Sequence, residues 1–202
     1  QSMFGFGYQT NIDLSGEVSA RNVMFKEEDL NVTELATSSF GQGQKITPIQ
    51  LITAFSSLIN GGYLFEPHLM KMVYSDQNII EKKESILIRQ VISNEVSRIT
   101  TQALAGVVNE GTGAKASIAG YEIGGKTGTA EKLPRGNNKY IVSFIGFAPV
   151  DNPQVITLVI VDEPEGIDVN SRFAAKIFVD VMEDVMPYLH IFKSVEETED
   201  NQ

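Results

Sequence analysis

Three strand-like runs in the second half of the chain constrain its fold more than any other feature. They cover residues 121–133, 140–148 and 155–162, and joins rich in Pro, Gly and Asn separate them at 134–138 and 149–153. A connection between parallel strands needs a dozen residues or more, whereas each of these joins has about five. The three runs therefore predict an antiparallel meander.

A helix is predicted upstream of the meander. Thr47 suits the N-cap position, and Pro48 suits the first helical position, where its missing N–H costs little. Gly61-Gly62 predicts the end of the helix. Apolar residues at helical spacing predict its buried face, namely Leu51, Ile52, Phe55, Leu58 and Ile59.

Two further helical patterns lie on either side of the meander, at about 93–111, with Ser93 as N-cap, and at 170–189. Short β-like runs at 69–74 and 85–88 alternate with charged turns before them. The order of helices, antiparallel meander and covering helix predicts a mixed α/β fold of the α+β kind. The expected buried residues are Val96, Ile99, Leu104, Val107 and Val108 in one helix, and Phe173, Ile177, Val181, Val185 and Tyr188 in the other.

Composition excludes several functions before any motif is considered. The 202 residues contain no Cys, which excludes disulfides, iron–sulfur clusters and thiol nucleophiles. A net charge of −10 argues against nucleic acid as a partner. His68 and His190 lie far apart in sequence, and a metal site needs more ligands, so no metal or cofactor is expected. The acidic residues 195–202 are expected to form a disordered tail, and Arg135 is expected in a solvated turn.

One motif resembles a phosphate-binding loop, because residues 120–127 read Gly, four residues, then Gly-Lys-Thr. Asp162 at the end of an apolar run would then supply a magnesium ligand. A phosphate loop needs a helix directly after Lys-Thr, whereas Gly128 follows here and Pro134 comes soon after. An antiparallel meander also excludes the parallel βα unit. A nucleotide hydrolase is therefore the disfavoured alternative.

The other interpretation places residues 126–129, Lys-Thr-Gly-Thr, in a strand. Thr127 and Thr129 then lie on one face, because side chains alternate along a strand. Gly128 leaves room for another backbone to approach. A positive charge and two hydroxyls beside such a strand suit a ligand with a carboxylate and an extended peptide backbone. From these residues alone, a surface strand with Gly at a bulge is the simpler alternative.

Residues 124–131 resemble the third active-site motif of penicillin-binding proteins, and other segments extend the resemblance. These segments agree with the family in order and approximate spacing from about residue 4 to 190, at 4–7, 12–17, 41–43, 47–51, 60–62, 107–113 and 143–149. Serine β-lactamases share the strand motif but not the whole set. The resemblance is to class B penicillin-binding proteins, which are monofunctional peptidoglycan D,D-transpeptidases with a β-lactamase/transpeptidase-like fold.

The resemblance implies acyl transfer by an active-site serine that attacks the D-Ala-D-Ala end of a stem peptide and that β-lactams acylate. It implies catalytic roles for Lys126, which would add positive potential, and for Thr129, whose N–H would be an oxyanion-hole donor. It implies that Thr127 and Thr129 hydroxyls hold the substrate carboxylate, and that Gly128 lets the substrate lie along the strand edge. Residues 111–113 are interpreted as a flexible link without a chemical role.

Two of the three motifs of the family, Ser-x-x-Lys and Ser-x-Asn, do not occur in these residues. Nucleophilic catalysis needs a serine beside a proton acceptor, so we expect this chain to be inactive alone. The favoured explanation is that residues 1–202 form the C-terminal portion of a transpeptidase domain. A noncatalytic peptide-binding module of the same fold is the alternative.

The catalytic sheet of this family has five strands, of which this chain would hold three. The strand 155–162 would then expose an apolar edge, so dimerisation through it, or pairing with the missing N-terminal part of the domain, is expected. The resemblance also implies a position on the extracytoplasmic face of the bacterial membrane, with an N-terminal anchor outside these residues.

Overall fold

The computed structural model describes residues 1–18, 31–39, 41, 43, 45–76, 78–134, 136–165 and 172–193. The chain divides into two compact units, residues 1–98 and 99–202. Its elements are α1 (Val32–Ser38), α2 (Pro48–Ile59), β1 (Tyr63–Phe65), β2 (Met72–Ser75), β3 (Asn78–Lys82), β4 (Leu87–Gln90), α3 (Asn94–Asn109), β5 (Gly124–Glu131), β6 (Tyr140–Ala148), β7 (Val155–Asp162) and α4 (Arg172–Tyr188). None of the helices so described is long and apolar enough to cross a bilayer.

Helix α2 of the first unit confirms its predicted start and end. The Thr47 hydroxyl accepts a hydrogen bond from the Gln50 N–H, while the Gln50 side chain accepts one from the Thr47 N–H. Beyond the last turn, Gly61 and Gly62 have φ values of +91° and +93°. A Cβ on Gly62 would overlap the carbonyl of Ile92, so only glycine fits this turn.

The N-terminal segment of the first unit is tied down by side chains that bind distant backbone groups. The Asp13 carboxylate accepts hydrogen bonds from the N–H groups of Leu69 (2.7 Å) and Met70 (2.9 Å). These two N–H groups, that of Leu69 first, hold the pKa of Asp13 below its ordinary value. The buried Gln50, besides capping α2, donates its side-chain N–H to the Tyr8 carbonyl. One segment is therefore fixed at two points.

The strands of the first unit form two antiparallel pairs, β1 with β4 and β2 with β3. The predicted runs at 69–74 and 85–88 overlap β2 and β4, whereas the sequence patterns do not predict β1 and β3. Strands β1 and β3 have only three and five residues, which is too short for an alternating pattern to distinguish a strand from a turn. Every residue of β2 and β3 is exposed.

The second unit contains a three-stranded sheet in the order β5-β6-β7, with both pairs antiparallel. This confirms the predicted meander. The register is continuous, with Thr127 opposite Phe144 and Phe144 opposite Val159. Strand β5 is shorter than the predicted run 121–133 at both ends.

Helix α4 covers one face of this sheet, packing on β6 and β7. The ring of Phe178 meets the ring of Phe144 edge-on, with 4.8 Å between centroids. A Cβ on Gly146 would collide with both rings, so this glycine lets the helix approach the sheet. The buried cluster around them contains Val108, Ala116, Ile118, Ile123, Ala148, Ala174, Ala175, Met182, Met186 and Ile191.

The apolar stripe predicted for this last helix is wrong. The buried residues of α4 are Ala174, Ala175, Phe178, Met182 and Met186. The predicted stripe is offset from them by one residue along much of the helix, and its members Phe173 and Tyr188 are 44% and 82% exposed. Two apolar rows run side by side on α4, and the row with the small alanines allows the closer packing. The predicted start at residue 170 lies outside the described residues.

Helix α3 begins at the predicted position, but it buries fewer of its apolar residues than the sequence predicts. The Ser93 hydroxyl accepts a hydrogen bond from the Val96 N–H at 3.2 Å, which confirms Ser93 as the cap. Leu104 and Val108 are buried, whereas Val96 and Ile99 are exposed. The first two turns of the helix therefore do not bury the predicted apolar residues.

Candidate functional site

Strand β5 has one edge that no other strand pairs with in the described part of the chain. At its end the Lys132 N–H donates to the Lys139 carbonyl at 2.8 Å, and the register places these two residues opposite each other. Residues of an antiparallel pair alternate between pointing at the partner strand and pointing away from it. Counting back from Lys132, the N–H and C=O groups of Thr129 and Thr127 point away from β6, along the free edge.

Lys126 extends its side chain along the same edge. Its ammonium donates to the Thr127 carbonyl at 2.9 Å, and the residue is exposed. Within the described residues no carboxylate lies within 4.0 Å of it, so its charge is not neutralised by an ion pair. The arrangement offers a cation beside outward-pointing backbone groups and two hydroxyls, which can bind a carboxylate and an extended peptide.

Thr112 contacts the candidate site, which the sequence does not predict, since it indicates a flexible link without a chemical role at residues 111–113. Its hydroxyl lies 3.0 Å from the hydroxyl of Thr127. Gly113 donates its N–H to the Val107 carbonyl at 2.9 Å, which fixes the turn that presents Thr112. When one hydroxyl of such a pair donates to the other, the acceptor keeps its own proton for a ligand. A threonine between two glycines was the only available signal.

Gly128 lies opposite Ser143 of β6, and an added Cβ would require the Ser143 hydroxyl to rotate away. Gly124 and Gly125 are restricted more tightly, because an added Cβ would collide with the rings of Phe147 and Phe144. The glycines of β5 thus make room for larger side chains of β6, while the role of Gly128 towards a substrate stays a prediction.

The geometry does not fit a phosphate-binding loop. Lys126 and Thr127 lie inside strand β5, which continues to Glu131, and the next element is strand β6 and not a helix. The backbone N–H groups therefore alternate between two directions instead of converging on one anion.

The other residues singled out from the sequence are His68, His190, Asp162, Arg135 and the acidic tail 195–202. His68 and His190 belong to different units, and no group of three or more His, Asp or Glu that could hold a metal occurs in the described ranges. Asp162 is paired with Lys132 at 2.9 Å. Arg135 and the acidic tail 195–202 lie outside the described residues.

Comparisons with known proteins agree with this geometry. A family model described as the penicillin-binding protein transpeptidase domain matches residues 2–183. Stage V sporulation protein D of Bacillus subtilis is 43% identical over 194 residues, which are 93% of this chain and 30% of that protein. Peptidoglycan D,D-transpeptidase FtsI of Buchnera aphidicola is 33% identical over 197 residues, which are 94% of this chain and 33% of that protein.

A solved structure supports the fold independently. The transpeptidase domain of penicillin-binding protein 3 from Burkholderia pseudomallei superposes with a TM-score of 0.82 at 28% identity. The match covers 96% of this chain and 57% of that one. This chain spans about a third of the length of the curated relatives named above. It belongs to the family of penicillin-binding protein transpeptidase domains.

Proposed function

We propose that this chain is the C-terminal portion of a serine D,D-transpeptidase domain that crosslinks peptidoglycan stem peptides and is acylated by β-lactams. The observation that carries the proposal is the edge of β5 that no described strand pairs with. It combines the outward backbone of Thr127 and Thr129 with the charge of Lys126, for which the described residues supply no carboxylate partner. Membership of the transpeptidase family supports the reaction class.

The substrate suits this edge in three respects. The terminal carboxylate of D-Ala-D-Ala would meet the hydroxyls of Thr127 and Thr129, with Thr112 orienting the first of them. The extended peptide would lie along the free edge as an added strand. The outward N–H of Thr129 would donate to the oxyanion of the tetrahedral intermediate, where one such donor is typically worth about 2.7–4 kcal/mol.

The nucleophile of this reaction would come from a Ser-x-x-Lys segment outside these 202 residues, which contain no such motif. The remaining N-terminal part of the domain is therefore the first partner that we propose. Because stem peptides belong to the cell wall, we also propose that the domain acts on the extracytoplasmic side of the membrane.

The test uses the full-length protein that contains this sequence and a fluorescent penicillin. We expect a covalent adduct on a serine upstream of Gln1, and no adduct on the 202-residue chain alone. The Lys126→Ala variant should acylate at least about 10²-fold more slowly, because it loses electrostatic stabilisation of the developing oxyanion.

Lys176→Ala is the matched control, since Lys176 is an exposed lysine of α4. It should acylate at the wild-type rate. An adduct on the 202-residue chain, or full-length protein that binds penicillin only reversibly, would contradict the proposal. The second result would favour the noncatalytic peptide-binding module.

A further inference from the structure

Four charged side chains meet at one end of the three-stranded sheet, and we call them the strand-end cluster: Lys132, Lys139, Asp162 and Glu163. The Lys132 ammonium lies 2.9 Å from Asp162 Oδ1 and 2.7 Å from Glu163 Oε1. The Lys139 ammonium lies 2.9 Å from Glu163 Oε2. Lys132 is thus the only member that contacts both carboxylates through the described ion pairs.

The cluster connects the two outer strands across the middle one. Lys132 directly follows β5, while Asp162 ends β7 and Glu163 follows it. The Glu163 N–H donates to the carbonyl of Tyr140, the first residue of β6, at 2.8 Å. Glu163 also has a φ of +48°, which is unusual for a residue with a side chain and turns the backbone at this point. Backbone and side chains therefore fix the same three strand ends.

The charges of the cluster balance, with two lysines and two carboxylates. Hydrogen bonds from Lys132 and then Lys139 lower the pKa of Glu163 from 4.5 to about 2. All four side chains are partly exposed, and exposed ion pairs contribute little to global stability. A lysine held by two carboxylates can nevertheless fix the position of its own backbone.

That backbone leads directly into the candidate site. Thr129 lies three residues before Lys132, or about 10 Å along the strand. Strand β5 ends at Glu131 and β6 begins at Tyr140. Without the ion pairs, this end of β5 would depend on backbone hydrogen bonds such as that from the Lys132 N–H to the Lys139 carbonyl, and fraying there would move the outward N–H of Thr129.

We infer that Lys132 is a positioning residue for the reaction: by binding Asp162 and Glu163, it holds the end of β5 so that the Thr129 N–H stays aimed at the reacting carbonyl. The inference rests on the proposed function and adds a residue to it. Lys132 acts here through the strand and does not touch the substrate.

The competing explanation is that Lys132 acts as a second cation for the substrate carboxylate. The two explanations predict different effects of one substitution, Glu163→Gln, on the acylation rate. Glu163→Gln removes an anchor, so it slows acylation if Lys132 positions the strand. The same substitution removes a negative charge beside the ammonium, so it leaves acylation unchanged or faster if Lys132 attracts the substrate.

The experiment measures penicillin acylation of the full-length protein, separating the reversible binding constant from the acylation rate constant. We expect Lys132→Ala and Glu163→Gln each to lower the rate constant about tenfold with little change in binding, which is less than the roughly 10²-fold cost of a 1 Å misplacement. Lys132→Arg should restore most of the rate. Lys82→Ala, which breaks a 2.7 Å exposed ion pair with Glu84 in the other unit, is the matched control and should have no effect.

Hydrogen exchange of peptides covering residues 126–132 gives a readout that does not depend on acylation. The Ala130 N–H faces β6 and should exchange faster in Lys132→Ala and Glu163→Gln. Unchanged exchange, or acylation of Glu163→Gln at or above the wild-type rate, would overturn the inference. If even the wild-type protein is not acylated, the proposed function fails, and the exchange result still decides whether Lys132 positions the strand.

Discussion

The two outer strands of the sheet are built from opposite kinds of residues. Strand β5 reads GGKTGTAE, with three glycines and two threonines, whereas β7 reads VITLVIVD, with six aliphatic residues. Each pairs with β6 on one side, and each leaves its other edge unpaired among the described residues. The edge of β5 therefore offers polar groups to a ligand, while the edge of β7 offers an apolar strand of the kind that proteins normally cover.

The difference extends to what lies over each strand. Helix α4 packs on β7, and the Thr157 hydroxyl lies 3.3 Å from the sulfur of Met182. Beside β5 lies the turn that presents Thr112. One side of the sheet is thus covered by a helix, and the other is the recognition side, where we propose that the ligand binds. Substitutions on the two sides should therefore have separable effects.

The largest expected effect is on the packed side. Phe178→Ala should destabilise the domain by about 3–5 kcal/mol, because it leaves a cavity beside Phe144. Phe173→Ala changes the same residue type on the exposed row of α4 and should cost about 0.5 kcal/mol or less. Denaturant unfolding measures both. Equal losses would show that the two rows of α4 are not distinguished by burial.

A smaller effect is expected on the recognition side. Thr112→Val removes the hydrogen bond to Thr127 and should weaken binding of a β-lactam carboxylate by about 1 kcal/mol, or roughly fivefold. Stability should hardly change, because the side chain is exposed. Thr112→Ser keeps the hydroxyl and is the control for affinity titrations of the full-length protein. A loss of affinity in Thr112→Ser with none in Thr112→Val would mean that the methyl group, and not the hydroxyl, matters.

The apolar edge of β7 can be tested through self-association. The dimerisation expected from the sequence stays a prediction, and Ile160→Lys should oppose it, with a cost of roughly 1 kcal/mol when like charges lie opposite each other. Ala130→Lys on β5 is the control and should not alter association. Sedimentation of the 202-residue chain over a concentration series distinguishes the cases. If Ala130→Lys dissociates the dimer instead, the chain self-associates through the edge of β5 and not through that of β7.

The smallest expected effect is on the pH dependence of stability at Glu163. Because Lys132 and Lys139 lower the pKa of Glu163 from 4.5 to about 2, its ionised form is favoured in the folded state. Its contribution to stability is present above pH 4.5 and disappears as the pH falls towards 2. The difference in melting temperature between wild type and Glu163→Gln should therefore shrink over this interval. A difference in melting temperature that stays constant with pH would show that the charge of Glu163 does not cause it.

The sequence predicted local structure well where single residues determine the backbone. Thr47, Pro48 and the paired glycines located α2, and the short joins located the meander. It failed for α4, because rows containing Phe173 and Phe178 are both apolar at helical spacing, and only the sheet beneath decides which is buried. It missed Thr112 because the hydroxyl that gives this residue a role lies 15 positions away in sequence.

The buried Gln50 links the capping of α2 to the attachment of the N-terminal segment. Its carbonyl oxygen completes the cap of α2, and its N–H group binds the Tyr8 carbonyl. A glutamate at this position could still cap the helix, but it would set a carboxylate oxygen against the Tyr8 oxygen. Gln50→Glu would therefore be a way to release the N-terminal segment while leaving the helix formed, and limited proteolysis would then cut before residue 18 without unfolding α2.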